Sequence, residues 1–255
     1  MKRKTLQVII SPAKKMIVRD DIFLPQSEPY FKEKSRELFS RLKNLSFEEA
    51  KKVWGCSDRL AKENYERLQK SNLDTNTSPA ILSYEGIQYK YMAPAVFEEE
   101  AFSWLKSHLF ILSGLYGALR PFDGVIPYRL EMQARFERGE PERLYDFWGD
   151  QIAGYVIEDC HILVDLASKE YSKSVRKYVP KEIPVISCIF GELSGGKIKE
   201  KGTYAKMARG AMVRFMAESQ LENPEEMKNF SELGYLFSEE YSDEETYVFL
   251  KKQEK

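Results

Sequence analysis

The sequence predicts a fold that combines strands and helices, in which a mixed β-sheet is surrounded by helices. Short apolar runs typical of buried strands alternate along the chain with longer amphipathic stretches typical of helices. Interleaved elements of this kind favour one sheet with helices packed around it. The length of 255 residues allows one large domain or two small ones.

The first strand is predicted at Thr5–Ile10, where the residues are mostly apolar. Ser11 followed by Pro12 has the pattern of a helix start, so a helical turn is expected over 13–16. Helices are expected over 33–45 and 47–68, the second with a capping box formed by Ser46 and Glu49. A polar loop over 72–79, a strand over 81–84 and a helix over 97–107 follow. The remaining elements are strands over 110–112, 161–166 and 184–189, a turn at Gly195 and Gly196, a helix over 204–217 and a strand over 247–250.

Charge is distributed unevenly along the chain, although the net charge is only −1. Residues 1–19 hold six Lys or Arg and no acid, and residues 166–214 hold eleven basic residues against four acidic ones. Residues 215–255 reverse this balance, with four basic residues against eleven acidic ones. Basic segments that fold next to each other would form a positive surface that attracts polyanions. Solvated helix faces explain the same charges more simply, and the acidic segment could screen the basic ones.

Three predicted strands end in a serine and small residues that lead into a helix start. The serines are Ser11, Ser113 and Ser168, in the segments VIISPAK, FILSGLYG and LVDLASKEY. In open α/β sheets, ligands bind beyond the carboxyl ends of the strands, where helix N-termini offer N–H groups to anions. If the three strands are parallel neighbours, the serines converge on one anion site. Helix capping alone would also explain each serine.

Two predicted helices carry basic stripes that suit phosphate groups. The basic residues that share a helical face are Lys169, Lys173, Arg176 and Lys177 on one helix, and Lys206 and Arg209 on the other. Lys and Arg contacts to phosphates supply affinity that does not depend on base sequence. Gly210 costs roughly 1 kcal/mol relative to Ala within a helix, which predicts the close approach of another backbone.

The segment 112–150 is the most unusual, because Gly114, Gly117, Gly124, Gly149, Pro121 and Pro127 stand among bulky aromatic residues. Such a backbone is suited to bring side chains or amide groups close to a ligand. Its neighbourhood also contains the acid–base candidates Asp123, Glu131, Asp146, Asp150 and Asp165. On a strand, Arg129 and Glu131 would face the same side and orient each other, although a structural ion pair is the simpler interpretation.

Several classes of protein are disfavoured by composition. Apolar residues at 43% and charged residues at 31% describe an ordinary globular protein, without the roughly 18-residue apolar run of a membrane span. The N-terminal segment lacks a signal peptide's longer apolar core, so a cytoplasmic location is expected. Three widely spaced cysteines and two histidines predict neither a disulfide framework nor a metal centre. The sequence contains no P-loop, dinucleotide fingerprint, nucleophile elbow or zinc-protease motif, so no cofactor is predicted.

Six ordered blocks carry a resemblance to a known family. They are ISPAK at 10–14, LSGLYGALRPFD at 112–123, PYRLEM at 127–132, LYDFWGD at 144–150, LAS-EY-KSV at 166–175 and YAKMARGAMVRF at 204–215. With this order and spacing, the chain resembles the YaaA family, also called the DUF328 or UPF0246 proteins, almost from end to end. It departs from the family pattern at Lys15, where Thr is usual, and this change adds a second positive charge beside Lys14.

The resemblance implies a single α+β domain over residues 1–255 with a positive cleft and a helix-hairpin-helix element, which we expect near Ser113–Gly117. It also implies a role in resistance to hydrogen peroxide, in part by keeping free iron low, and binding of duplex DNA. Together with the charge pattern, this predicts a cytoplasmic peroxide-stress protein that binds DNA with little sequence preference and limits iron-dependent oxidative damage. The expected DNA-binding or anion-binding residues are Lys14, Lys15, Ser113, Gly114, Gly117, Arg120, Arg129, Lys169, Lys173, Arg176, Lys206 and Arg209.

Two other hypotheses stay open at this point. The first is an enzyme that acts on a small anionic or nucleobase-like substrate at the carboxyl ends of the strands, in a pocket to which Ser11, Tyr116, Glu131 and Ser168 would also contribute. The second is iron binding by the acidic residues of 239–245, for which a solvated acidic terminus is the simpler explanation.

Overall fold

The structure, a computed structural model, describes residues 5–19, 21–137 and 142–252. Lys2, Arg3 and Lys4, half of the predicted basic cluster at the N-terminus, lie outside the described residues. Within the described part of the chain, the strands are β1 (Thr5–Ile10), β2 (Lys15–Met16), β3 (Ser78–Pro79), β4 (Tyr84–Glu85), β5 (Leu109–Ser113), β6 (Gly117–Leu119), β7 (Gly124–Val125), β8 (Arg135–Phe136), β9 (Glu142–Arg143), β10 (Cys160–Leu166), β11 (Val185–Ser194), β12 (Lys197–Lys199), β13 (Tyr235–Phe237) and β14 (Thr246–Lys251).

Helices fill most of the sequence between these strands. In the same described residues they are α1 (Lys32–Lys43), α2 (Phe47–Trp54), α3 (Asp58–Lys70), α4 (Ala80–Ser83), α5 (Ile87–Met92), α6 (Glu99–His108), α7 (Leu144–Trp148), α8 (Gln151–Ile157), α9 (Lys169–Arg176) and α10 (Gly202–Glu218). Short 3-10 turns occur at Pro94–Val96, Pro224–Asn229, Glu232–Gly234 and Glu239–Tyr241.

One mixed sheet organises the fold, with the strand order β13-β14-β11-β10-β1-β5-β6 and with β12 paired to β11. The five central strands, from β14 to β5, run parallel to their neighbours. The outer strands β13 and β6, and β12, pair in the antiparallel direction. The structure therefore confirms the predicted α+β fold with a mixed sheet.

The centre of the sheet is apolar because helices cover both of its faces. Four of the six residues of β1 (Leu6, Val8, Ile9 and Ile10) are completely buried, and the whole of β5 is buried. Parallel strands that are covered on both faces have continuous apolar sequences rather than alternating apolar and polar residues. This is why both strands are recognisable in the sequence.

Three local predictions were wrong. Residues 13–16 form no helical turn: Lys15–Met16 is a strand that pairs with Tyr84–Glu85, while the Ser11 hydroxyl accepts a hydrogen bond from a distant segment instead of capping a helix. The helix predicted over 47–68 is interrupted at Gly55, whose left-handed φ of 53° ends α2. The strand predicted over 81–84 is the short helix α4, in which the Ser83 hydroxyl donates to the carbonyl of Pro79 at 3.0 Å.

The first and the last strand of the described residues, β1 and β14, belong to the same sheet. That residues 1–255 make up a single domain stays a prediction. Among the described helices, none is long and apolar enough to cross a membrane.

Candidate anion-binding site

The carboxyl ends of β1 and β10 are tied together by two serines. Ser11 follows β1, and its hydroxyl oxygen accepts the backbone N–H of Ser168 at 2.8 Å. The two hydroxyl oxygens are 3.1 Å apart, and Ser168 is the N-cap residue of α9. β10, β1 and β5 are adjacent and parallel, so the condition set for convergence of the three serines is met, but only Ser11 and Ser168 line the same pocket. Ligand sites in sheets of this kind form beyond such ends.

A pocket of about 520 Å³ opens at this edge of the sheet. This volume is in the range of small-molecule sites, roughly 300–1,000 Å³. The pocket is lined by Ser11, Pro12, Ala13, Lys14, Lys15, Glu85, Gly86, Ile87, Gln88, Tyr89, Tyr128, Arg129, Leu130, Glu131, Ser168, Glu170, Tyr171, Lys206 and Arg209. The β1–β2 connection, α5, the loop around residue 130, the start of α9 and α10 all contribute to it.

Five of the predicted anion-binding residues meet in this pocket. They are Lys14, Lys15, Arg129, Lys206 and Arg209. The same lining contains three carboxylates, those of Glu85, Glu131 and Glu170, so the charges of the lining residues add up to a net positive value. Residues that are almost 200 positions apart in sequence thus form one cationic site.

A buried ion pair lies inside the pocket. Nε of Arg129 is 2.7 Å from Oε1 of Glu131, and these side chains are only 11% and 9% exposed. Lys14 approaches the same carboxylate oxygen, with its Nζ at 3.9 Å. Burial raises the pKa of Glu131, and the positive charges of Arg129 and Lys14 oppose that rise. The predicted mutual orientation of Arg129 and Glu131 is confirmed, although both lie in an irregular loop and not on a strand.

Gln88 is a pocket residue that no local sequence pattern indicated. It lies on α5, a helix that was not predicted, and it is only 7% exposed. Its Nε2 has no hydrogen-bond partner, and the same is true of the buried Nε of Arg209. The one available signal was Gly210: a Cβ placed there would lie 2.1 Å from the carbonyl oxygen of Gln88. The predicted close approach of another backbone at Gly210 is therefore confirmed, and that backbone belongs to α5.

The basic face of α9 borders the pocket without lining it. Lys169 is exposed immediately after Ser168, and the ammonium of Lys173 lies 5.1 Å from the centre of the Tyr145 ring. Arg176 bonds to the hydroxyl of Ser187 and lies 3.9 Å from a carboxylate oxygen of Asp165. The three predicted binding cations of this helix are all exposed, and Arg176 is in addition bonded within the fold.

The predicted residues of the glycine-rich segment do not reach the pocket. Ser113, Gly114 and Gly117 are buried in the tight turn that joins the antiparallel strands β5 and β6. No helix-hairpin-helix lies at 113–117, because this segment is a strand hairpin. Arg120 lies at the other end of β5, where its guanidinium carbon is 3.7 Å from the centre of the Phe110 ring and Nη1 donates to Gln7.

The hairpin nevertheless supports the site from behind. A Cβ on Gly114 would lie 2.3 Å from the carbonyl oxygen of Leu130, so only glycine lets the turn pack against the loop that carries Arg129 and Glu131. The Ser113 hydroxyl bonds to the Tyr128 hydroxyl at 2.7 Å on the same loop.

Tyr116, predicted for the alternative pocket, is buried away from this pocket, and its hydroxyl accepts the N–H of Ile126 at 3.2 Å. Four of the acid–base candidates, Asp123, Asp146, Asp150 and Asp165, also lie outside the pocket lining. Glu131 is therefore the one acid–base candidate that lines it. Among the described residues, no group of three or more His, Cys, Asp or Glu side chains is arranged to hold a metal ion.

A second pocket of about 480 Å³ lies on the other side of Lys14 and Glu131, which line both pockets. It is bounded by α2, and the buried indole Nε1 of Trp54 has no hydrogen-bond partner there. The helical hairpin of α2 and α3, joined by residues 55–57, is therefore next to the cationic site.

Together, the fold and the site define an α+β protein with a cationic pocket at the carboxyl ends of parallel strands. The family model described as "Peroxide stress protein YaaA" matches residues 6–241. A UPF0246 protein of Desulfitobacterium hafniense is 49% identical over 96% of this chain and 98% of its own length. UPF0246 proteins of Agathobacter rectalis and Lactiplantibacillus plantarum are 47% and 45% identical over 97% and 96% of this chain, and each match covers 99% of the relative. The chain belongs to the YaaA family of peroxide stress proteins, also named UPF0246, as its six sequence blocks predicted.

Proposed function

We propose that this protein acts in the peroxide-stress response by binding duplex DNA with little sequence preference, in the cytoplasm, where it limits iron-dependent oxidative damage. The observation that carries the proposal is the meeting of Lys14, Lys15, Arg129, Lys206 and Arg209 in one pocket. Cationic side chains from several segments that face one surface bind phosphate backbones by charge, without reading bases.

The exposed lysines are the best placed to contact phosphates. The Lys14 and Lys15 side chains are 65% and 71% exposed, and Lys169 and Lys206 are also exposed around the same opening. Lys15 forms an ion pair with Glu85 at 2.8 Å, an exposed contact that contributes little energy and that a phosphate can replace. Phosphates would therefore lie across the rim of the pocket, from the β1–β2 connection to α10.

The helical hairpin of α2 and α3 supports the same proposal. α2 ends at Gly55, whose left-handed backbone allows the sharp turn into α3. A glycine-containing turn between two helices is the kind of element that the family resemblance implies for phosphate contacts. Its position beside Lys14, across the second pocket, would extend the DNA-binding surface beyond the rim.

Fluorescence anisotropy with a labelled duplex at several salt concentrations tests this proposal. We expect log Kd to rise linearly with log salt, since each phosphate contact contributes about 0.9 to the slope. The double variant Lys14→Ala/Lys206→Ala should lower that slope by about two and weaken binding equally for unrelated sequences.

The matched control is Lys106→Ala/Lys181→Ala, which makes the same charge change at the opposite edge of the sheet, before β5 and β11. It should leave the slope unchanged. Absence of binding at low salt, or affinity that does not respond to salt, would reject the proposal, as would equal losses in both double variants.

A further inference from the structure

Two buried N–H donors that lack acceptors line the same pocket. They are Nε2 of Gln88 and Nε of Arg209, and they come from α5 and α10. Buried donors without partners are rare in folded proteins, because each forfeits its bond with water. A ligand that enters the pocket must therefore bring acceptor atoms, as an oxyanion does.

Gln88 distinguishes this pocket from a merely basic surface. Its side chain is uncharged and 7% exposed, so it contributes nothing to long-range attraction of DNA. A buried amide at a pocket wall confers affinity only on a group that fits against it. Lys206 and Arg209, one helical turn apart on α10, place positive charge in the same lining.

Glu131, in contrast, favours a ligand group that donates a hydrogen bond. Its carboxylate is 9% exposed and accepts hydrogen bonds, so it repels a bare anion but attracts an N–H or O–H group. A ligand that satisfies both requirements carries an anionic group and, a few bonds away, a donor. The volume of about 520 Å³ is far larger than an inorganic phosphate needs.

We propose that this pocket binds one nucleoside monophosphate unit, with its phosphate toward Lys206 and Arg209 and the edge of its base toward Gln88 and Glu131. The unit has two sources: a free nucleotide, or a nucleotide of DNA turned out of the duplex. If the unit is a nucleotide of DNA, the inference rests on the proposed function. If it is a free nucleotide, the inference is independent of the proposed function. The rim lysines would then hold the flanking phosphates of a strand.

Isothermal titration calorimetry with AMP, GMP, CMP and UMP tests the inference, with adenosine and inorganic phosphate as partial ligands. We expect at least one monophosphate to bind ten or more times more tightly than either partial ligand. Gln88→Ala should weaken that binding at least tenfold, whereas Gln69→Ala, on the exposed face of α3, should not change it.

Glu131→Gln gives a readout that a loss of folding cannot imitate. It should weaken nucleotide binding, because one of the two acceptor oxygens facing the base becomes an N–H donor and the remaining oxygen is no longer charged, and strengthen phosphate binding, because a repelling charge is lost. If every monophosphate binds no better than phosphate, or if Glu131→Gln moves both ligands in the same direction, the inference is wrong.

A DNA experiment separates the two sources. If the unit belongs to DNA, a duplex with one mismatched pair should bind more tightly than a paired duplex, and the preferred monophosphate should compete with it. If the unit is free, the monophosphate binds without competing. If the duplex binds in a salt-dependent way and no monophosphate binds, only this inference is overturned. If a monophosphate binds and the duplex does not, only the proposed function is overturned.

Discussion

Single residues in this protein act mainly by allowing two backbones to approach. Gly114 lets the β5–β6 turn contact the carbonyl of Leu130, and Gly210 lets α10 contact the carbonyl of Gln88. Neither glycine lines the pocket, but each packs against the backbone of a residue that does. Gly114, which was predicted to contact an anion, therefore packs behind a wall of the pocket and does not line it, and the same holds for Gly210.

Gly114→Ala should lower the free energy of unfolding by about 1–3 kcal/mol or more, because the new methyl group overlaps the backbone of Leu130. The control is Gly154→Ala in α8, where a Cβ would meet nothing within 4 Å. Alanine is favoured in a helix, so this change should raise stability by roughly 0.5–1 kcal/mol. Urea denaturation measures both. Equal effects of the two variants would contradict this account of Gly114.

At the scale of elements, helix ends decide where the segments around the site begin and end. The capping box at the start of α2 is present, with the N–H of Glu49 donating to the Ser46 hydroxyl at 3.3 Å and the N–H of Ser46 donating to the Glu49 carboxylate at 2.7 Å. α3 also begins after a serine, Ser57, but that side chain makes no capping bond. Two serines in equivalent positions thus differ in what they contribute.

Ser46→Ala should cost about 1 kcal/mol of stability, because one N-terminal N–H of α2 loses its acceptor. Ser57→Ala should cost less than about 0.5 kcal/mol, since no capping bond is removed. Chemical denaturation of both variants alongside the parent protein checks the difference. The interpretation fails if Ser57→Ala proves as costly as Ser46→Ala.

At the scale of the whole molecule, the strand that follows the acidic residues of 239–245 is part of the sheet, while the side chains of Glu239, Glu240, Asp243, Glu244 and Glu245 are exposed. β14 lies parallel to β11 and is covered on its other side by β13. Phe249 of β14 is completely buried, with its ring centre 5.1 Å from that of Phe190 and 5.7 Å from that of Phe230. The C-terminal residues therefore complete the sheet whose other strands carry the pocket.

Phe249→Ala should destabilise the protein by about 3–5 kcal/mol, the range for removing a buried aromatic ring. Leu236→Ala in the neighbouring strand β13 is the control, since that side chain is 40% exposed. It should cost about 1 kcal/mol or less. Thermal unfolding followed by circular dichroism compares them; a small effect of Phe249→Ala would show that the sheet does not depend on β14.

Local chemistry made several parts of the structure predictable. The apolar runs of β1, β5 and β10 marked the centre of the sheet, and the spacing of Ser46 and Glu49 marked a helix start. The family blocks predicted membership, and the charge pattern pointed to Lys14, Lys206 and Arg209. Each of these signals depends on neighbouring residues alone, so it can be read without knowing the fold.

The pocket itself could not be predicted in this way, because packing between distant segments decides it. Gln88 had no local signal, and its importance follows from burial against α10 and from an amide without a partner. Arg120 looked equivalent to Arg129 in sequence, but the direction of β6 carries it to the opposite edge of the sheet.

The sequence by itself determined the family, the mixed sheet and the cationic character of the residues at its strand ends, since these depend on residue type and order. Only the tertiary structure decided which cations share a pocket, which are engaged within the fold, and that Glu131 and Gln88 lie among them. Strand order and helix packing bring residues together across long separations, and no local pattern encodes those distances.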